Sequence, residues 1–427
     1  MPATRRIDTS RVTHLFVGYS SAFLARVERT FSAGQVLFLE EAEVITSRNA
    51  AASCASVKAV AGILEAPTQD EKNAESIPLL LARPPCLKAI IPSVEYGVVA
   101  AAALAQAWGL PGAGFKAARI LRDKAELRQL AGLTGIRQPA WSIVGGPAEI
   151  EEFQRAHGGH CVVKPVDRQG SLGVTLIGPG DDADEAWAEV ISIREPAGLR
   201  AREGLGASLY LAEERVSGLE ASVQALVAAG QVLFTNITVK DMLPGRYPVE
   251  LAHTLPAEVP ADLAAELIKA TGQLVKAADY QYGMVHAEWI VADRVPYLIE
   301  CAARVPGDRI TTLIDLAYGI RVVDALLLVM AGLAPPALGG PRLGASVRYL
   351  TAEPGVITAI SGVDEAWDMS DVVDVTMTAG EGSTVRPLRG SMDRIGSVIA
   401  VSQTADEARA SAAQAAAAIK VTTEGTL

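Results

Sequence analysis

Two strand-like runs near residue 290 constrain this chain more than any other feature. Residues 284–290 read Met-Val-His-Ala-Glu-Trp-Ile, and residues 297–304 read Tyr-Leu-Ile-Glu-Cys-Ala-Ala-Arg. Ala292, Asp293 and Arg294 lie between them and make a turn, so the two runs read as a hairpin. Each run carries one glutamate inside apolar sequence, Glu288 and Glu300. If the two are cross-strand partners, they share a face with their Cβ atoms roughly 4.5–5.5 Å apart. Carboxylates held that close repel each other unless a cation sits between them. Oxygen donors of this kind suit Mg²⁺, which completes its shell with water and phosphate oxygens. Two solvated glutamates on a surface hairpin are the alternative, and the apolar flanks speak against it.

Composition limits the partners. The chain has 427 residues, enough for two to four domains, and half of them are apolar, enough for a large core. Its net charge is −11 and no Lys/Arg-rich block stands out, so no broad basic face for nucleic acid or an anionic membrane is expected. Any anionic ligand must be small and held by a few local cations. The longest apolar runs, residues 97–105 and 325–336, fall short of the ~20 residues that span a bilayer. The first eleven residues are polar and do not read as a signal peptide. Cys54, Cys86, Cys161 and Cys301 show no C-x-x-C spacing, so free thiols and a cytoplasmic location are expected, with no zinc site.

In the first hundred residues, strands at 14–18, 35–39, 59–64 and 89–92 alternate with helices at 20–31 and 95–108. Such alternation predicts a parallel α/β sheet covered on both faces. No G-x-G-x-x-G follows the first strand, so the sheet is either scaffold or part of a substrate pocket. After a break at residues 110–112, one basic helix is expected over 117–130, carrying Arg122, Lys124 and Arg128. A helix at 147–156 follows, then a strand, a glycine loop and a strand over 161–177. Strands are expected at 208–214, 220–227 and 232–239, and a helix at 261–278. Residues 335–340, Pro-Pro-Ala-Leu-Gly-Gly, read as a linker before a strand-rich C-terminal part. The apolar stretch 322–330 reads as a face on which a homodimer could form.

Two further segments carry chemistry. Lys164 closes a buried strand, and Arg168, Gly170, Ser171 and Gly173 follow in a short loop. Glycines let backbone approach an anion closely, and lysine offers a point charge for phosphate. Residues 211–223 read strand, turn, strand, with Glu213, Glu214, Val216 and Glu220 near the turn. The polar loop from Lys240 to Tyr247 bears Arg246 and leads to Glu250 and His253. Lys240, Arg246, Glu250 and Arg309 are candidate substrate contacts, and each is equally readable as a solvated residue.

The order of these segments resembles the ATP-grasp superfamily, and within it the carboxylate–amine ligases similar to L-amino acid ligases. The resemblance covers essentially the whole chain. It implies an α/β N-terminal domain (1–115), an ATP-grasp domain (116–335, with a lid at about 140–212) and a small β-rich C-terminal domain (336–427). It further implies ATP as substrate, with Mg²⁺ or Mn²⁺ held by Glu288 and Glu300. Lys124 and Lys164 would meet the phosphates, and the loop from Arg168 through Gly170, Ser171 and Gly173 would cover them. Glu213, Glu214 and Val216 would take the adenine and Glu220 the ribose, with His286 touching the nucleotide or packing in the core. Arg304 would bind the transferred phosphate, and His253 is a candidate proton acceptor. Many relatives carry Glu-x-Asn at the second metal position, whereas this chain reads Glu300-Cys301-Ala302. The activity implied is ADP-forming condensation of a small-molecule acid with an amine. A bicarbonate-using carboxylase and an inactive nucleotide-binding protein are the alternatives.

Overall fold

The computed structural model describes residues 7–195, 198–201 and 209–425. The chain opens with β1 (His14–Val17), β2 (Val36–Glu40), β3 (Val60–Glu65) and β4 (Ala89–Pro92), a parallel sheet in the order β3-β2-β1-β4. Ser20 caps the helix Ser21–Thr30 through the amide of Phe23. The strand order reverses between β1 and β4, so the loops leaving these two strands diverge and open a crevice at the sheet's carboxyl edge.

A second antiparallel sheet comprises β5 (Trp141–Val144), β6 (Cys161–Pro165), β7 (Thr175–Ile177) and β8 (Tyr210–Glu213), in the order β5-β8-β6-β7. The helices Pro147–Ala156 and Ala183–Ser192 back it with a small core of their own around Ile150, Phe153 and Val190. This module occupies the segment expected as the lid. Residues 196–197 and 202–208 of that segment, including the expected start of β8 at residue 208, lie outside the described residues.

The remaining strands are β9 (Leu219–Ala228), β10 (Gln231–Met242), β11 (Glu250–Leu255), β12 (Gly283–Ala292), β13 (Val295–Ala302), β14 (Gly344–Leu350), β15 (Gly355–Ser361), β16 (Val372–Met377), β17 (Thr384–Val385), β18 (Gly396–Ser402) and β19 (Lys420–Glu424). Eight of them form one antiparallel sheet, β13-β12-β9-β10-β11-β14-β18-β16, and β17-β15-β19 form a small one. Alternation divides the large sheet. Ala221, Val223, Ala225 and Val227 of β9 pack under the helix Ala261–Ala277, whose Leu267 and Leu274 are buried against them. Glu220, Ser222 and Gln224 therefore turn to the opposite face.

Three expectations need correction. The linker at 335–340 does not end the sheet: β14 pairs with β11, Ala252 opposite Arg348, so the C-terminal strands extend the central sheet. The basic helix expected at 117–130 is two helices, Phe115–Arg122 and Lys124–Thr134. Asp123 breaks it by adopting an extended conformation (φ −108°, ψ 116°) and accepting hydrogen bonds from the amides of Ala125 and Glu126. The apolar helix Val322–Met330 is not a dimer face. Its Val322, Val323, Leu326 and Met330 are buried in the chain's own core.

Candidate functional site

The parallel sheet, the lid sheet and the eight-stranded sheet meet around a cleft of about 1480 Å³. The hairpin β12–β13 forms part of its wall, and its register sets Glu288 directly opposite Glu300. Each carboxylate has a lysine. Lys240 Nζ, on β10, lies 2.9 Å from Glu288 Oε2 and 3.5 Å from Glu250 Oε1. Lys124 Nζ lies 3.0 Å from Glu300 Oε1 and donates to the Arg168 carbonyl at 2.7 Å. The break at Asp123 makes Lys124 the first residue of its helix and fixes where its ammonium points. Burial alone would raise the Glu288 carboxyl, but the Lys240 ammonium and the His286 hydrogen bond outweigh it and hold it well below the usual range. The same carboxylates hold the Lys240 ammonium firmly in its charged form against the cost of burial.

These residues fit a divalent cation. Two carboxylates face each other across adjacent strands, and Ala302, opposite His286, offers no further donor. Among the described residues no group of three or more His, Cys, Asp or Glu encloses a metal. Glu288 and Glu300 would hold a cation whose remaining ligands come from phosphate and water, which suits Mg²⁺.

His286 is held from both sides. The Gln224 amide donates to His286 Nδ1 at 3.0 Å, so Nε2 carries the proton and donates to Glu288 Oε1 at 3.0 Å. Gln224 Oε1 in turn accepts from Asn236 and Thr238, and Tyr318 donates to Asn236 Oδ1. Sequence reasoning missed this network. Its signal was available in the period-two polar runs Glu220-x-Ser222-x-Gln224 and Asn236-x-Thr238-x-Lys240.

Other candidates fall in two groups. Arg168, Gly170, Ser171, Gly173, Glu213, Glu214, Val216, Glu220, Glu250, His253 and Arg304 line the cleft with the residues above. The loop after β6 places Gly170 (φ +63°), Ser171 (φ +58°) and Gly173 (φ +80°) in left-handed conformations. Arg304 Nε lies 2.6 Å from Glu95 Oε2, a buried partner from the N-terminal domain that the sequence did not reveal. His253 Nε2 lies 3.3 Å from Asp308 Oδ2, while its Nδ1 is buried without a partner.

Lys164, Arg246 and Arg309 are not among the residues lining the cleft. Lys164 Nζ is 2.7 Å from Glu213 Oε2, and Arg128 binds the same carboxylate through Nε at 2.9 Å and Nη2 at 3.1 Å. Burial would raise the Glu213 carboxyl, but these two cations outweigh it and bring it down to about 2. Arg246 pairs with Glu189 at 3.0 Å and so ties its loop to the lid helix. Arg309 pairs with Asp374 at 2.6 Å.

Glu220 has a testable signature. Burial raises its carboxyl to about 7; Lys240 opposes the shift, and Glu288 and Glu250 add to it. The folded chain thus binds this proton more tightly than the unfolded chain, and the stability it contributes is lost as pH rises from about 4.5 through 7. Glu220→Gln should therefore flatten the fall in melting temperature between pH 5 and 8. An unchanged slope in the variant would refute the assignment.

Residues 158–312 match the ATP-grasp domain family, and residues 348–424 match the L-amino acid ligase C-terminal domain 2. The chain is 28% identical over 319 residues to carnosine synthase 1 of Gallus gallus, covering 69% of this chain and 34% of that protein. It is 25% identical over 237 residues to the alanine–anticapsin ligase of Bacillus subtilis (strain 168), covering 52% of this chain and 49% of that one. It thus spans a third to a half of the length of these curated relatives. The crystal structure of the L-amino acid ligase from Bacillus licheniformis superposes with a TM-score of 0.76 at 19% identity, over 97% of this chain and all of the other. Residues 158–312 thus carry an ATP-grasp domain and residues 348–424 a domain of the L-amino acid ligase C-terminal type, within a chain of ATP-grasp fold.

Proposed function

We propose that the chain is an ATP-dependent carboxylate–amine ligase, which activates the carboxylate of an amino acid as an acyl phosphate and passes it to an amine with release of ADP and phosphate. The observation that carries this reading is the pair Glu288 and Glu300, facing each other on one cleft wall with Lys124 and Arg304 beside them. Phosphoryl transfer needs alignment and charge neutralisation more than covalent help from the protein, and this wall offers both.

A carboxylate is a poor acyl donor because its leaving group is poor. Attack by its oxygen on the γ-phosphorus breaks the bond to ADP and makes a mixed anhydride whose leaving group is phosphate. The amine then adds to the carbonyl carbon, loses a proton, and phosphate departs. Mg²⁺ at Glu288 and Glu300 would supply charge neutralisation at the phosphates. Lys124 serves the same phosphates directly. Lys164 acts at one remove, by fixing Glu213 below the adenine strap of residues 213–216. Arg304, anchored by Glu95, receives the acyl phosphate. Glu220 takes the ribose.

His253 is the proton acceptor in this reading. Asp308 is held far below the usual carboxylate range: burial would raise it, but His253 and Arg394 outweigh that. An ionised carboxylate only accepts hydrogen bonds, so His253 Nε2 keeps its proton and Nδ1 is left to accept one. Glu250 and Lys240 lie on the same wall and are the substrate contacts this reading favours.

The direct test is ADP release across pairs of amino acids and other acids and amines, with Mg²⁺. ADP should appear only when both members of a productive pair are present. ADP formed with bicarbonate and no amino acid would replace this reading with the carboxylase one. ATP binding without ADP from any pair would replace it with that of a binding protein.

A further inference from the structure

We propose that Arg48 is the anchor for a carboxylate carried by the amine substrate, in the crevice at the carboxyl edge of the N-terminal sheet. This rests on the ligase reading and adds the chemical class of the second substrate.

The crevice is the place where this topology binds ligands. β1 and β4 are neighbours whose following chain runs to opposite sides, so the loops at residues 18–20 and 93–95 part there. Both loops line the cleft. Glu95 reaches from the β4 side to Arg304, which fixes where the acyl phosphate would lie. Among the described residues the β1 side makes no hydrogen bond to Arg304, and it is where Arg48 arrives.

Arg48 follows β2 and the short helix Ala42–Ser47, and its guanidinium returns to the end of β1. Nη1 donates to the Tyr19 carbonyl at 3.2 Å, and the guanidinium carbon lies 5.1 Å from the Tyr19 ring centroid. Tyr19 is itself fixed: its amide donates to Glu40 at 2.7 Å, and Glu40 also accepts from the Glu41 amide and the Thr68 hydroxyl. The head group is thus placed by one hydrogen bond and one ring, and both Arg48 and Tyr19 line the cleft.

What the head group lacks is an anion. Several other arginines on the cleft wall are answered by carboxylates: Arg26 by Asp315 and Asp324, Arg304 by Glu95, and Arg394 by Asp308. Arg168 and Arg215 share the lack of one among the described residues, but they stand on the loop after β6 and in the strap after β8, at the nucleotide end of the cleft. Among the described residues no carboxylate lies within ion-pair distance of Arg48. Glu40, whose carboxylate feels the Arg48 charge, spends its oxygens on the three donors named above. An arginine offers five N–H groups in a fork that matches a carboxylate, and among the described residues only one of them is engaged.

The position also separates two anions. Arg304, which follows β13, is tied to Glu95 just beyond β4, and Arg48 to Tyr19 just beyond β1, the neighbouring strand. The acid substrate brings its reacting carboxylate to Arg304, so an anion at Arg48 belongs to the other partner. Phe23 and Val323, which also line the cleft, provide an apolar wall for that partner's side chain. The amine substrate is then an amino acid with a free carboxylate, and the product a peptide rather than a simple amide.

The test uses whichever amino acid pair gives the fastest ADP release, with the amine partner supplied as the free acid and as its carboxamide. Arg48→Gln should raise KM for the free amino acid about 10- to 100-fold, the scale of a lost charge-assisted contact. KM for MgATP and for the acid partner should move less than twofold. On the carboxamide, wild type and Arg48→Gln should converge, because the wild type loses the same contact there. Arg48→Lys, which keeps the charge, should recover most of the loss. A KM for the free amine within twofold of wild type overturns the proposal. So does an equal rise on free acid and carboxamide, which marks a structural role, or a rise confined to the acid partner. Wild-type ADP release reports on the ligase reading separately: it can succeed while Arg48 proves silent, and its failure with every pair removes both.

Discussion

Replacing Glu300 by alanine is expected to lower the rate of ADP release on the order of 100- to 1000-fold while leaving the far-ultraviolet circular dichroism unchanged. Several kcal/mol of charge stabilisation at the phosphates depend on the paired carboxylates, and each 1.36 kcal/mol is a factor of ten. Glu300 is half-buried and lies at the end of β13, so its loss leaves a gap open to the cleft and frees Lys124 to turn toward ligand. Glu288→Ala should abolish activity to a similar degree with a larger loss of stability. It strips the buried Lys240 ammonium of its nearest partner and leaves Glu250 at 3.5 Å, with Glu220 acting more weakly, to answer it. Raising the Mg²⁺ concentration should recover part of the activity of either variant. Turnover within fivefold of wild type in both variants would remove these glutamates from the site.

The hairpin was legible because its information is local. Alternation already puts Glu288 and Glu300 on one face, while the register that starts at the Asp293–Arg294 turn is shifted by one residue at a β-bulge between Glu288 and Trp289, which brings Glu300 rather than Ile299 opposite Glu288. The helix Ala261–Ala277 and the parallel alternation of the first hundred residues were legible for the same reason. Each is a periodic pattern longer than its punctuation.

Long-range pairing was not legible. Residues 335–340 look like a linker, yet β14 returns to β11, and nothing within either strand names its partner. Lys164 looks like a phosphate lysine because its strand ends in a glycine loop. Its carboxylate partner, Glu213, comes 49 residues later, on the strand that pairs beside it. Arg304 and Glu95 are 209 residues apart. Asp123 shows the reverse failure. The basic pattern ran through it, but Asp is a strong N-cap residue, and two adjacent amides to bind outweighed helical continuity. Polar residues in β9 and β10 were passed over because apolar neighbours dominate a strand reading, although their spacing of two already placed them on one face.

The buried cluster of Arg128, Lys164 and Glu213 predicts an unusual ranking of stabilities. Arg128 is fully buried; beyond its two bonds to Glu213 it donates to the carbonyls of Leu298 and Ile299 at 2.9 and 2.8 Å. Two cations share one carboxylate, so the cluster carries a single excess positive charge. Lys164→Met removes that excess and leaves a matched pair. Burial already lowers the Lys164 ammonium, against the pull of Glu213, which makes it the more dispensable cation. Arg128→Met also leaves a matched pair, but strands two carbonyls. Glu213→Gln leaves two buried cations with no anion, and breaking a buried pair in this way costs about 3–5 kcal/mol. Denaturant midpoints at pH 7 should therefore fall in the order Lys164→Met, Arg128→Met, Glu213→Gln, the last being lowest. The pH dependence follows from the same carboxylate. Because its folded value is about 2 against 4.5 for a free glutamate, the stability it confers is fully present above 4.5 and drains away as pH falls toward 2. Wild type and Glu213→Gln, far apart at pH 7, should draw together across that interval. A Glu213→Gln midpoint equal to that of wild type, or higher than that of Lys164→Met, would mean that Glu213 does not bind the two cations together.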